Sequence, residues 1–287
     1  MRVARYWTKA SYKGTDRKGK ELSCSAWGWS LDSLAAAKED ALSRARRVFD
    51  ALISGRRPDT YDYADRPMRE EIVETLEQGD KEIAIITRNR YGALVLNTAS
   101  VLFVDIDFPK VTPTGLWDAI LLGLSSKRRQ WRQAAARELT LESVREWGQQ
   151  HADHSFRVYR TCAGLRLLFT DRLYEPKSGE TSRILEELGS DRLYRRLTSN
   201  QECFRARLTP KPWRCGCDRP PNQYPWPDAE QERRYRDWER RYTKAAQCFA
   251  VCELLEVCGG AASNGEISTI LDTHDKLTCL AQGRKLA

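Results

Sequence analysis

The stretch Ser100 to Lys110, SVLFVDIDFPK, sets two carboxylates one residue apart at the end of an apolar run. Val101, Leu102, Phe103 and Val104, with Pro109 closing the segment, read as a short buried strand. Side chains on a strand alternate between faces. Asp105 and Asp107 therefore project together, their Cα atoms about 6.6 Å apart at a rise of ~3.3 Å per residue, while Ile106 points to the other face. Two like charges held that close at the edge of a core repel each other, and a divalent cation relieves the repulsion. The alternative is that both carboxylates fan into solvent at a strand end.

The elements that must position this pair can be read on either side of it. RVARYWTKASYKGTDRKGKELSCSAWGWS reads as a hairpin turning between Gly14 and Gly19. An amphipathic helix follows, carrying Leu34, Ala37, Ala41, Ala45, Val48 and Leu52 near a 3.6 period and stopping at Gly55. After a loop from Arg56 to Arg66, PMREEIVETLEQGD reads as a second helix, entered at Pro67 and ended at Gly79. EIAIITRNRYG and ALVLNTASVLFVDIDF give three short strands, and Leu116 to Gln150 is helical and polar. FRVYRTCAGLRLLFTD is a strand, a tight turn at Ala163 and Gly164, and a second strand. GETSRILEELGSDRLYRRL is helical, CFRARLTPKPWR is a strand running into a Pro-broken basic loop, and RPPNQYPWPDAE resembles a linker. The segment from Glu230 to Gly259 reads as one long helix. Strands interleaved with helices predict an α+β fold, with a sheet of roughly five to seven strands and helices largely on one face.

Composition narrows the chemistry further. With 287 residues, 41% hydrophobic and 31% charged, the chain can bury a substantial core. No apolar run approaches the roughly 20 residues of a membrane span, so no membrane partner is expected. The basic N-terminal stretch lacks an apolar signal core, and nine cysteines, an odd number, suit a reducing cytoplasmic setting better than a disulfide framework. Cys215 and Cys217 with Cys203, Cys248, Cys252 or Cys258 do not follow the paired CxxC spacing of a zinc site. His151 and His154, three apart, fit a polar helix end better than a metal pair.

A formal charge of +8 favours an anionic partner. One basic knot is Lys127, Arg128, Arg129 and Arg132; another is Arg192, Arg195, Arg196, Arg205, Arg207, Lys211 and Arg214. Nucleic acid or nucleoside triphosphates would supply the phosphates. Tyr6, Trp7, Trp27 and Trp29 on the hairpin are available either to stack on bases or to pack beneath it.

Three segments in order, FVDID, YRTCAGLRLLF and SDRLYRRLTSNQECFRARLTPKPWR, resemble the archaeo-eukaryotic primase superfamily. Asp105 and Asp107 match its Asp-x-Asp strand. Gly164 and Leu165 match its small-residue turn, and Arg166 stands where the family keeps a phosphate-contacting His. Asp191 maps onto the third, acidic motif, and Arg205, Arg207 and Lys211 resemble the phosphate-binding segment. The likeness covers about the middle third of the chain. It implies an RRM-like antiparallel or mixed sheet with flanking helices, divided as an N-terminal hairpin and helices over 1–80, a catalytic core over 81–218 and a C-terminal helical extension over 219–287.

The implied activity is metal-dependent nucleotidyl transfer. Asp105, Asp107 and Asp191 would ligate Mg²⁺ or Mn²⁺, with Asp171 as substitute for Asp191. Arg166, Arg205, Arg207, Lys211 and Gly164 would bind the nucleotide. Arg can replace the family's His as a bidentate phosphate ligand, or its presence can mark a copy that binds nucleotides without polymerising them. Two other Asp-x-Asp chemistries fit less well: a haloacid-dehalogenase-like phosphatase needs Thr or Val soon after the second Asp, where Phe108 and Pro109 stand, and nothing supports sugar binding by a nucleotide-sugar transferase.

Overall fold

A computed structural model describes residues 1, 3–16, 18–56, 68–113, 115–117, 125–260, 264–279 and 284–287. Most of the 56–66 loop, Pro67 and the stretch 118–124 lie outside the described residues. The fold is α+β, as expected, and its strands are more numerous than the sequence suggests. They form two four-stranded antiparallel sheets, the N-terminal hairpin and a two-residue parallel pair.

The hairpin is β1 (Tyr6–Thr15) and β2 (Glu21–Ser30), covered by α1 (Leu34–Ile53). The helix buries Ala37, Ala41, Ala45 and Phe49. An alanine stripe has no bulk, so the helix approaches until a Cβ on Gly28 would lie 2.2 Å from the Ala41 nitrogen. Trp7, Trp27 and Trp29 are half-buried and Tyr6 is exposed.

The first sheet runs β3 (Glu71–Gln78), β4 (Lys81–Arg88), β5 (Leu94–Thr98) and β9 (Phe204–Arg207), in that order. The expected second helix is thus a strand, β3, turned back at Gly79 in the left-handed region (φ 61°) and paired with β4. The hairpin spans residue 80, where the sequence suggests a domain boundary.

The second sheet runs β11 (Cys252–Cys258), β7 (Phe156–Thr161), β8 (Gly164–Phe169) and β6 (Phe103–Asp107). β11 replaces the second half of the expected C-terminal helix. That helix, α5 (Ala229–Ala246), stops at Ala246 and is followed by β10 (Phe249–Ala250), which pairs with β12 (Lys285–Leu286). Cys248 therefore lies just past the helix end, and Cys252 opens β11. β4 is buried along six consecutive residues and β8 along its whole length, as continuous apolar runs require when both faces are covered.

The remaining helices are α2 (Ser126–Gln150), α3 (Gly179–Glu187), α4 (Arg192–Gln201) and α6 (Gly265–Thr278). Gly189, at φ 67°, separates α3 from α4. The main core joins both sheets to α2, α3 and α6 through Phe103, Val144, Phe169, Ile184, Phe204 and Ile270. Among the described residues, no helix is long and apolar enough to cross a membrane.

Candidate functional site

β6 is the edge of one sheet and β9 the edge of the other, and two side chains stitch these edges together. The Tyr194 hydroxyl, from α4, donates to the carbonyl of Phe103 on β6 at 3.0 Å and also reaches that of Arg205 on β9 at 3.4 Å. Arg166, from β8, reaches across β6 to donate to the Arg207 carbonyl at 3.0 Å. The acidic strand end lies on this seam.

Register decides what Asp105 does. Asp105 stands opposite Arg166, and Asp107 opposite Gly164. The Arg166 Nε donates to Asp105 Oδ1 at 2.8 Å and a terminal nitrogen to Oδ2 at 3.2 Å, so the guanidinium fork engages both carboxylate oxygens. Arg166 is 1% exposed. Burial works against its charge, but the Asp105 carboxylate outweighs that and holds its pKa above the ordinary arginine value. Arg166 thus lies beneath the surface, locked to an acid.

Gly164 is required for packing. A Cβ there would sit 2.0 Å from the carbonyl oxygen of Ile106 and 3.0 Å from the Asp107 Cα, both on the β6 backbone. Gly164→Ala is expected to force β6 away from β8 and to cost about 1–3 kcal/mol, the usual range for overpacking a tight site. Urea titration of the two proteins measures it; an unchanged midpoint would remove the close approach as the reason for glycine.

The other expected residues divide into committed and open groups. Asp191 is the N-cap of α4: its Oδ1 accepts from the Leu193 and Tyr194 amides at 2.9 and 3.0 Å. Its neighbour Ser190 donates to the Asp105 carbonyl at 3.1 Å, so α4 starts beside β6, with the Asp191 carboxylate engaged by the helix end. Asp171 accepts from the Tyr174 hydroxyl at 2.7 Å and lies 3.1 Å from His154 Nδ1, in a pocket stacked on Trp147. Arg205 shares a face of β9 with Arg207, as alternate spacing requires, and forms a bidentate pair with buried Glu70 at 2.7 and 2.8 Å.

Arg207, Lys211 and Arg214 form the open group. Arg207 ends β9, Lys211 is the N-cap of the short 3₁₀ turn Pro212–Arg214 that follows it, and Arg214 ends that turn. The Arg207 Nε is buried and, among the described residues, has no hydrogen-bond partner. Burial, then the like charge of Arg166, pushes the Arg207 pKa below the ordinary value, with Asp105 opposing. Burial, then Arg207 and Arg214, likewise lowers Lys211, while Asp107 and Cys162 raise it. Cations that raise one another's energy in this way favour an anion. Beyond Asp107 lies a cleft of about 560 Å³ whose walls include Phe108, Lys110, Arg129, Arg137 and Cys162.

This donor set does not suit a pair of divalent ions. Both Asp105 oxygens are engaged by Arg166, the Asp191 carboxylate caps a helix, and Asp107 faces Lys211. What it can do chemically is bind phosphate, using Arg and Lys donors at a partly desolvated edge. Trp213, Tyr91 and Arg219, which sequence reasoning does not single out, border the same basic turn. The signal was the Lys-Pro-Trp-Arg stretch, where Pro212 starts the turn that leaves Trp213 45% exposed. No family model, curated protein or solved structure matches the chain.

Proposed function

We propose that the chain is a non-catalytic nucleotide- or nucleic-acid-binding module of primase-polymerase type, in which the acidic strand has been turned from metal ligation to internal ion pairing. The observation that carries this reading is the bidentate Arg166–Asp105 pair, with Arg207, Lys211 and Arg214 left beside it. An Arg fork on a carboxylate offsets the negative charge that would draw a metal, and it leaves the neighbouring cations only partly compensated, with burial and like charge still outweighing Asp105 at Arg207 and Asp107 at Lys211. Phosphate supplies the missing charge without any need for a divalent ion.

The test is direct. Wild-type protein should bind a labelled nucleoside triphosphate or oligonucleotide saturably, with affinity falling as salt rises and unchanged by chelator. It should incorporate no labelled nucleotide with Mg²⁺ or Mn²⁺. Metal-dependent incorporation that disappears in Asp107→Asn would overturn the binding reading in favour of a metal-dependent nucleotidyltransferase.

A further inference from the structure

One surface beside the basic turn is built for more than phosphate. Trp213 and Tyr91 meet edge to face, ring centroids 5.3 Å apart. Arg219 lies over both rings, at 5.4 Å from Trp213 and 5.9 Å from Tyr91; Arg90 lies over Tyr91 at 4.6 Å and Lys211 over Trp213 at 5.6 Å. Trp213 is exposed and Tyr91 half-buried, and the cations over their faces are attracted to the rings, which sets positive charge directly beside accessible aromatic surface.

The platform is held rigidly from below by α5, which carries a ladder of Tyr235, Trp238 and Tyr242, with Trp238 and Tyr242 stacked at 5.1 Å. Each supporting loop touches this ladder. Gly92, in the β4–β5 turn with Tyr91, has φ 82° and sits so close that a Cβ would lie 2.1 Å from the Trp238 ring. Tyr242 donates to the Pro210 carbonyl at 2.6 Å, just before the turn bearing Trp213, and the Trp238 indole donates to the Asp218 carbonyl at 2.9 Å, just before Arg219. The Asn89 side chain fixes the Tyr91 turn by accepting from the amides of Tyr91 and Ala93 at 2.9 and 3.1 Å. Three loops are thus set by one helix, which lowers the ordering cost of binding.

We infer that Trp213 and Tyr91 form a base-stacking platform for a single nucleic-acid strand, whose backbone continues onto Lys211, Arg207 and Arg214. The inference rests on the phosphate-binding reading above and adds the form of the ligand. A duplex hides its base faces, whereas a single strand offers them to the exposed Trp213 ring and the half-buried Tyr91 ring beside it while its phosphates meet the cations. Lys211 joins the two parts, because it lies over the Trp213 ring and also feels Arg207, Arg214 and Asp107.

Fluorescence anisotropy with labelled single-stranded DNA and RNA oligonucleotides tests it, alongside a duplex, inorganic polyphosphate and polyglutamate as base-free polyanions. Trp213→Ala and Tyr91→Ala should each weaken single-strand binding roughly tenfold, and Trp213→Phe should restore most of it. Polyphosphate binding should be unchanged by any of the three. Trp213 is 45% exposed, so its variants should fold, as circular dichroism will establish. Wild-type affinity for single strands in both alanine variants would overturn the platform while leaving phosphate binding intact. Equal losses for polyglutamate would also overturn it and make the surface a protein-docking site. A wild-type protein that binds neither oligonucleotide nor polyphosphate would refute the underlying reading itself.

Discussion

Asp105→Ala is expected to destabilise the protein by about 3 kcal/mol, seen as a fall in the urea midpoint and in Tm. Removing one partner of a buried ion pair typically costs ~3–5 kcal/mol, because the other charge stays buried without compensation. Here the stranded charge is Arg166, which is 1% exposed and cannot neutralise itself by losing a proton at any ordinary pH. The lower end of the range applies because the Asp105 side chain is itself 41% exposed, so water already screens part of the attraction. Ser190 holds the Asp105 main-chain carbonyl, so the strand stays pinned and the substitution isolates the carboxylate. Asp105→Asn, which keeps an acceptor but no charge, should lose roughly half as much. A metal-ligating Asp105 predicts the opposite sign, because relieving carboxylate repulsion leaves stability unchanged or raises it. An alanine variant as stable as wild type would therefore refute the ion-pair role.

What the sequence discloses about this site is the geometry within each strand. Asp105 and Asp107 share a face because they are two apart, and so do Arg205 and Arg207. What it withholds is register between strands. That Arg166 falls opposite Asp105 depends on how β8 pairs with β6, and a shift of one residue would turn the guanidinium to the other face. Local spacing carries no such information.

The two elements read as helix fail for a related reason. β3 carries three Glu, one Leu and one Gln, all good helix formers, and its Ile72 and Leu76 are four apart. Pairing with β4 overrides that preference. Its register also slips twice, between Ile72 and Glu74 and between Leu76 and Glu77, so the alternation that marks a strand is erased. β11 carries a slip of the same kind between Leu254 and Glu256. Strands with an unbroken apolar core, such as Ile83–Ile86 in β4 and Leu167–Phe169 in β8, remain legible because they need no alternation to be recognised. The aromatic platform was hidden differently: Tyr91 and Trp213 lie far apart in sequence, and only the shared support of α5 brings their loops together.

The double change Arg207→Met, Lys211→Met should weaken phosphate binding on the order of 100-fold or more without loss of stability. Each charge-assisted hydrogen bond contributes about 1.5–3 kcal/mol, so two together reach at least ~3 kcal/mol, and 1.4 kcal/mol is a factor of ten. Methionine keeps the apolar stem of each side chain, so packing along β9 and the turn is preserved. Stability should hold or rise, since the charges removed are ones that burial and like neighbours already disfavour. For a single strand the slope of log affinity against log salt should fall by about 1.4, from two charges at ~0.7 each. The pH dependence has a definite sign. The Lys211 pKa is depressed in the free protein, and a bound phosphate restores the charged form. Binding therefore takes up a proton as pH approaches the depressed value, and affinity falls as pH rises through it toward the ordinary lysine range. For folding the same shift acts in reverse: below the depressed pKa the charged Lys211 disfavours the native state, and that penalty fades as pH rises through it. Titration calorimetry in buffers of different ionisation enthalpy reads the proton uptake, which should be reduced in Lys211→Met. Binding with wild-type affinity and salt slope in the double variant would show that the phosphates are held elsewhere. A loss of stability would show instead that these two cations support the fold.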